Sequence, residues 1–314
     1  MDTLAVVLSE PEKLSLRRLE LTPPTDEDVV VDIDWSGIST GTEKLLWTGR
    51  MPPFPGLGYP LVPGYESVGR VSFAGARSGR AVGDYVFVPG AKCYGEVHGL
   101  FGGAAARVVV PGSRVIPFKE ELAEHGVLIA LAATAYHALA GGELPELIVG
   151  HGVLGRLLAR LAVIEGGNPV VWEVNPQRMD GAQGYAVIDP ASDVRKDYRS
   201  ICDVSGDPAL LDTLIGRLGR GGEIVLAGFY DKPLSFNFPP AFMREARLRI
   251  AAEFKDPDLA KVKAYAESGQ LALDGLITHR LPASEAQLAY RTAFGDASCL
   301  KMVIDWRDSH GDLA

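Results

Sequence analysis

Cysteine is scarce: Cys93, Cys202 and Cys299 are the only three in 314 residues. That is too few and too scattered for a disulfide framework, and no two stand at the spacing of a metal knuckle. A reducing, cytoplasmic setting fits this usage. An excess of positive charge is also missing. The net charge of −9 excludes the broad basic face that a nucleic-acid scanner needs to neutralise phosphates. Long apolar runs are absent too. The longest uncharged one, Gly126 to Gly142, is broken by Thr134, Tyr136 and His137 and falls just short of spanning length, so a buried helix is expected there and no membrane span. The start, Met1-Asp2-Thr3-Leu4-Ala5, lacks a basic segment followed by an apolar core, and no secretory signal is expected. With 47% hydrophobic and 23% charged residues the chain has a globular composition. Its length allows two domains with substantial cores.

From Leu4 to Val115 short β-rich runs such as Val29–Asp34, Ser67–Phe73 and Tyr85–Val88 alternate with Gly and Pro clusters, the pattern of an antiparallel, barrel-like domain. The Pro- and Gly-rich segment from Met51 to Pro60 is expected as an ordered surface loop. Near Glu120 the hydrophobic period changes from two to about 3.6. Strands are then expected at Leu147–Val149, Val170–Glu173, Ala186–Ile188, Cys202–Val204, Ile224–Ala227 and Leu248–Ala252, with helices at Leu154–Glu165 and Ala209–Leu218. This alternation is that of a doubly wound parallel α/β sheet. Beyond Glu253 a helix (Pro257–Ser268), a strand (Leu276–Leu281), a second helix (Ser284–Phe294) and a last strand (Leu300–Asp305) are too few for a third domain. They are expected to complete the first, giving domains of 1–120 with 255–314, and 121–254.

The chemical signal is sharpest at Gly150-His151-Gly152-Val153-Leu154-Gly155, a G-x-G-x-x-G directly after an apolar strand and at the start of an amphipathic helix. The first glycine allows a tight turn, the second lets the backbone approach a diphosphate, and the third lets helix and strand pack closely, while the helix N-terminus attracts the anion. Glu173 ends the next strand about twenty positions on, where a carboxylate accepts hydrogen bonds from an adenosine ribose and repels a 2′-phosphate. Arg178 is five positions further, not in the nearest place for welcoming that phosphate. NAD is therefore expected over NADP. His151, at a free position of the motif, is expected to face solvent.

The order of β domain and dinucleotide domain resembles the medium-chain dehydrogenase/reductase superfamily, and four phrases carry the resemblance. Pro63-Gly64-Tyr65-Glu66 with Val68-Gly69 is similar to its P-G-H-E-x-x-G, Val82-Gly83-Asp84-Tyr85-Val86 to its V-G-D-R-V, Thr134-Ala135-Tyr136 to its T-A-Y and Ile277-Thr278-His279-Arg280 to its I-T-H-R. The resemblance implies a GroES-like barrel, a Rossmann domain, alcohol dehydrogenation and, as analogy only, a homodimer. It also makes the departures informative. Zinc-dependent members use a cysteine in the first active-site loop, the histidine of G-H-E and a residue near the T-A-Y helix. Here the loop is Ser36-Gly37-Ile38-Ser39-Thr40-Gly41-Thr42-Glu43, Tyr65 replaces the histidine, and Ala132 and Ala133 precede Thr134. Hydroxyls do not replace thiolate and imidazole in a tetrahedral zinc site, so no metal is expected.

Within the superfamily, the Ile38–Glu43 loop, the Pro-rich segment and the ending Cys299–Trp306 resemble the hydroxyethyl bacteriochlorophyllide dehydrogenases of bacteriochlorophyll biosynthesis. That resemblance implies oxidation of a tetrapyrrole's 1-hydroxyethyl group to acetyl. Thr42 then takes the place of the family's hydroxyl relay, and Thr40, or Ser39 after a one-residue shift, that of the lost cysteine. Thr42 or Tyr65 is expected to contact the substrate hydroxyl, with Glu43 or Glu66 as the nearby carboxylate. Trp47, Met51, Phe54, Leu57 and Tyr59 are candidates for an apolar slot around the macrocycle, and Lys44 or Arg50 for its propionate. The competing expectations are that the loop hydroxyls serve their own backbone and the aromatics pack the loop onto the barrel. Two other functions compete: a zinc-free NADPH-dependent quinone or enone reductase, and a non-catalytic dinucleotide-binding scaffold.

Overall fold

The computed structural model describes residues 1–53, 55–230 and 232–313. In chain order it forms β1 (Asp2–Glu10), β2 (Lys13–Glu20), β3 (Asp28–Ile38), α1 (Thr42–Thr48), β4 (Leu61–Val62), β5 (Ser67–Ala74), β6 (Tyr85–Val88), β7 (His98–Gly99), β8 (Arg107–Pro111) and β9 (Ile116–Pro117). After a 3-10 stretch, Glu120–Leu128, come α2 (Ile129–Leu139), β10 (Leu147–Val149), α3 (Val153–Ile164), β11 (Val170–Trp172), β12 (Ala186–Ile188), β13 (Tyr198–Asp203), α4 (Leu211–Arg217) and β14 (Leu218–Leu226). The chain continues through α5 (Phe238–Arg244), β15 (Arg247–Ile250), α6 (Asp256–Glu267), β16 (His279–Pro282), α7 (Ala286–Gly295) and β17 (Met302–Asp305).

Two compact units divide the chain: residues 1–129 with 277–314, and residues 130–276. The boundaries therefore lie at 129 and 276 and not at 120 and 254. Helix α6, expected to return to the first domain, belongs to the second, where the Asp258 carboxylate meets His137 Nδ1 of α2 at 2.7 Å. A polar contact between helices is invisible to hydrophobic periodicity, which is why the sequence placed α6 in the wrong unit.

In the first unit, β16-β17-β3-β5-β6-β9 form one sheet, with β8 also paired to β3, and β2-β1-β4-β7 form another. Their inward faces, including Val6, Leu8, Val29, Val31, Ile33 and Val86, are fully buried, as the alternation of a half-covered antiparallel sheet requires. The link that matters for chemistry is the register of β17 on β3, which sets Met302 opposite Ile38 and Val303 opposite Gly37.

In the second unit the parallel sheet runs β12-β11-β10-β13-β14-β15, the doubly wound order whose reversal lies beside β10. Its central strands are apolar on both faces: Leu147, Ile148, Val171, Ile201 and Ile224 are all fully buried. By length and composition, Glu120–Leu139 reaches the limit for crossing a membrane, where the sequence run fell short; 56% of that window is buried inside the fold, and the backbone leaves helical geometry at Ala123 (φ 43°, ψ −124°).

Candidate active site

The dinucleotide turn sits at the C-terminal end of β10. Gly150 has φ +102°, a conformation that strains any residue with a Cβ. A Cβ on Gly155 would overlap the Gly150 carbonyl oxygen, so the third glycine is what lets α3 approach the strand. No side chain caps α3 at Gly152. Its first-turn N–H groups, at half-buried Val153 and Leu154 and buried Gly155, therefore have no partner within the helix, as an anion site needs.

Glu173, just beyond β11, is buried against this turn. Its Oε2 accepts the His151 N–H at 3.0 Å, and its Oε1 accepts those of Val174 at 2.9 Å and Asn175 at 2.8 Å. The carboxylate is thus fixed at the motif before any ligand arrives.

His151 does not face solvent; it is fully buried. Its Nδ1 lies 2.6 Å from the Arg178 carbonyl oxygen, which can only accept, so Nδ1 carries the hydrogen and Nε2 accepts from the Tyr185 hydroxyl at 2.8 Å. Burial pushes its pKa down to about 4. A neutral histidine here ties the loop after Glu173 to the glycine turn. Arg156 reinforces the tie by donating to the carbonyls of His151 (3.1 Å) and Arg178 (3.0 Å). The sequence pointed to neither role. The Arg178 guanidinium itself reaches the turn, with Nη1 4.0 Å from where a Cβ of Gly152 would stand; spacing along the chain had placed it away.

The candidate hydroxyls and carboxylates cluster in the first unit, where three chain segments run side by side. Gly37 of β3 donates its N–H to the Glu66 carbonyl at 2.7 Å, while β17 flanks β3 from the other side and brings in Lys301. The buried Lys301 ammonium makes an ion pair with Glu66 Oε2. A Cβ at 37 would stand 2.6 Å from Glu66 Oε2 and 2.8 Å from Lys301 Cε, so any larger residue there would have to displace this ion pair.

Thr42 opens α1, a short helix within what the sequence presented as loop, and the helix carries Glu43 inward. Glu43 Oε1 accepts the Ser39 N–H at 3.0 Å and Oε2 accepts the Tyr290 hydroxyl of α7 at 2.7 Å. Burial, with the neighbouring Glu66 charge adding to it, raises the Glu43 pKa to about 7, against the opposing pull of those two hydrogen bonds and of Lys301. The Ser39 and Tyr65 hydroxyl oxygens stand 2.7 Å apart. Burial and the Glu66 charge raise the Tyr65 pKa, and hydrogen bonds from Ser39 and Thr42 hold it back. The structure therefore brings together Ser39, Thr42, Glu43, Tyr65 and Glu66. It leaves Thr40 exposed.

The proposed slot residues divide differently. Trp47 stacks on Tyr290 (centroids 6.2 Å apart, 29° between planes) and meets Phe294 at 6.1 Å. Met51, Leu57 and Tyr59 pack against the barrel core, and the Tyr59 hydroxyl donates to the Leu46 carbonyl at 2.5 Å. Lys44 donates to the Phe294 carbonyl at 3.2 Å, and exposed Arg50 donates to Thr48 Oγ1 at 3.2 Å. Phe54 lies outside the described residues. Neither Lys301 nor Tyr290 was singled out by the sequence; each is more than 200 positions from its carboxylate, and only the fold joins them.

Among the described residues no group of three or more His, Cys, Asp or Glu side chains is placed to hold a metal. The donor set itself does not fit zinc. The carboxylate of Glu66 is already engaged by a cation, that of Glu43 accepts from Ser39 and Tyr290, and the site offers no thiolate or imidazole.

A doubly wound unit with a dinucleotide turn and a barrel unit carrying a buried hydroxyl–carboxylate cluster define an oxidoreductase acting on a CH–OH group with a nicotinamide dinucleotide. Residues 25–120 match the model of the alcohol dehydrogenase GroES-like domain. The chain is 58% identical to the 2-desacetyl-2-hydroxyethyl bacteriochlorophyllide A dehydrogenase of Rhodobacter capsulatus, covering 98% of this chain and 100% of that protein. It is also 58% identical to the protein of the same name from Cereibacter sphaeroides, covering 98% and 99%. An alcohol dehydrogenase of Escherichia coli complexed with cofactor NADH shares the fold, with TM-score 0.82 at 20% identity over 97% of this chain and 99% of that one. The chain belongs to the medium-chain dehydrogenase/reductase superfamily and, within it, to the family of the two 58%-identical relatives.

Proposed function

We propose that the protein oxidises the 1-hydroxyethyl side chain of a bacteriochlorophyllide to an acetyl group, with NAD as acceptor and without catalytic zinc. The observation that carries the substrate is the full-length likeness to the two bacteriochlorophyllide relatives. The glycine turn and the first turn of α3 would hold the cofactor's diphosphate, and Glu173, fixed by three backbone N–H groups, would accept its adenosine ribose hydroxyls and disfavour a 2′-phosphate. Bound NAD supplies the hydride acceptor.

The chain's own part in the reaction concerns the proton. As the C–H bond breaks, the substrate O–H must also be lost. The Ser39–Tyr65 hydroxyl pair, with Thr42 beside it, is suited to take up that hydrogen bond and pass the proton on, and ionised Glu43 favours its departure. A carbinol attached to a conjugated macrocycle also tolerates positive charge during hydride loss, which lessens the need for a Lewis acid.

Arg178 beside Gly152 is the observation that favours the second reading, an NADPH-linked reductase of quinones or enones. One anaerobic assay separates them: purified protein, hydroxyethyl bacteriochlorophyllide and either NAD or NADP, followed by pigment absorbance and reduced-nicotinamide formation. Conversion to the acetyl pigment with NAD preferred is the expected result. No turnover, or NADP preferred, overturns it, and cofactor binding without turnover of any alcohol would mean a scaffold.

The three free, buried cysteines suit a cytoplasmic setting. A homodimer is also proposed. Strand β15 closes one edge of its sheet, and exposed Phe238, Phe242, Met243, Leu248 and Ile250 lie on or near it, a combination that invites pairing with a second copy. Ile250→Glu should yield a monomer in sedimentation; an unchanged mass would remove the proposal.

A further inference from the structure

The cation buried among the candidate carboxylates has no part in the reading above. Lys301 is 2% exposed and Glu66 fully buried, so the pair sits where an unneutralised charge is strongly disfavoured. Glu66 uses one oxygen for the ammonium, and its Oε1 is buried without a hydrogen-bonding partner among the described residues. Glu43 has both oxygens satisfied. The groups facing it are Tyr290 from α7, Tyr65 and Glu66 from the segment before β5, Lys301 from the residue just before β17, and Ser39 from its own loop. The ammonium thus pairs directly with Glu66 and acts on Glu43 through its charge alone.

We propose that Lys301 is a positioning residue for the dehydrogenation: it pairs with one oxygen of Glu66 and leaves the other open to a donor, and through that ion pair it governs the charge state of Glu43. This deepens the dehydrogenase reading and rests on it. The substrate's proton departs along the Ser39–Tyr65 pair to solvent, its hydride goes to the nicotinamide, and the C–O bond becomes a carbonyl. Ionised Glu43 stabilises the leaving proton, whereas protonated Glu43 does not. Oxidation therefore speeds up as pH rises through the ionisation of Glu43, and the Glu66 and Lys301 charges move that midpoint in opposite directions. Removing the ammonium leaves two carboxylates in mutual repulsion and favours protonated Glu43. Removing the Glu66 charge leaves the ammonium facing Glu43 alone and favours the ionised form.

The experiment compares wild type, Lys301→Met, Glu66→Gln, Lys301→Arg and the double variant Glu66→Gln/Lys301→Met in full-length protein. Two readouts are followed against pH: kcat/KM for hydroxyethyl bacteriochlorophyllide oxidation, and the infrared C=O stretch of protonated carboxyl, with Glu43→Gln identifying the Glu43 band, in protein free of substrate and cofactor. The midpoint is expected to rise by about 1–3 pH units in Lys301→Met and to fall by a similar amount in Glu66→Gln. It should stay near wild type in Lys301→Arg and in the double variant, which also removes the lone buried charge and keeps the test open should a single variant fail to fold. Unmoved midpoints in folded variants, or shifts of the same sign, overturn the proposal. Opposite infrared shifts without tetrapyrrole turnover would support the charge coupling and overturn the substrate reading.

Discussion

Tyr290 donates its hydroxyl to Glu43 Oε2 at 2.7 Å across 247 positions of sequence, and the same ring stacks on Trp47. One side chain of α7 thereby both orders helix α1 and holds the buried carboxyl it carries.

That arrangement makes stability depend on pH. The folded pKa of Glu43, about 7, lies above its ordinary value of 4.5, so the folded state binds this proton more tightly. The contribution is complete below pH 4.5 and is lost as pH rises through 7. Its size is at most about 3 kcal/mol. Glu43→Gln is expected to gain stability relative to wild type above pH 7 and to flatten that part of the curve, as measured by urea unfolding at pH 5 and pH 8.

His151 carries the opposite sign. Its pKa falls from 6.5 to about 4 on burial, so the folded state prefers the neutral ring. Its contribution is present above pH 6.5 and lost as pH falls through 4, again at most about 3 kcal/mol. His151→Gln should show a shallower acid limb in the same unfolding experiment. An acid limb as steep as wild type would contradict the neutral, doubly hydrogen-bonded ring.

The hydroxyl pair is tested by turnover. Tyr65→Phe, Ser39→Ala and Thr42→Val should each fold. At least one should lower kcat by about 100-fold, the scale of a lost proton-transfer group, with the KM for NAD unchanged. Full activity in all three removes the relay.

At the cofactor turn, Glu173→Gln should raise the KM for NAD by about 10-fold, as expected for losing hydrogen bonds to a charged acceptor. It should also narrow the preference for NAD over NADP. Steady-state kinetics with both cofactors reads the two effects together.

Trp47→Ala should destabilise the protein by about 2–3 kcal/mol through lost packing on Tyr290 and Phe294. Substrate KM is expected to stay near wild type once the fold is intact. A raised KM at unchanged stability would instead return Trp47 to the tetrapyrrole slot.

Local and periodic information was readable along the chain. Strand β10 and helix α3 lie where the apolar run and the glycines put them, because a tight turn and a close helix–strand approach require Gly150 and Gly155 whatever else the fold does. The doubly wound parallel sheet of the second unit likewise follows from alternating periods. Tertiary structure decided the partners of charge. That Lys301 neutralises Glu66 depends on the register of β17 on β3. That Tyr290 holds Glu43 depends on α7 packing over α1, and that Arg178 reaches Gly152 depends on a loop folding back behind a buried His151. A buried charge needs a partner, but the need is met through space. Sequence spacing carries no trace of which distant residue will supply it.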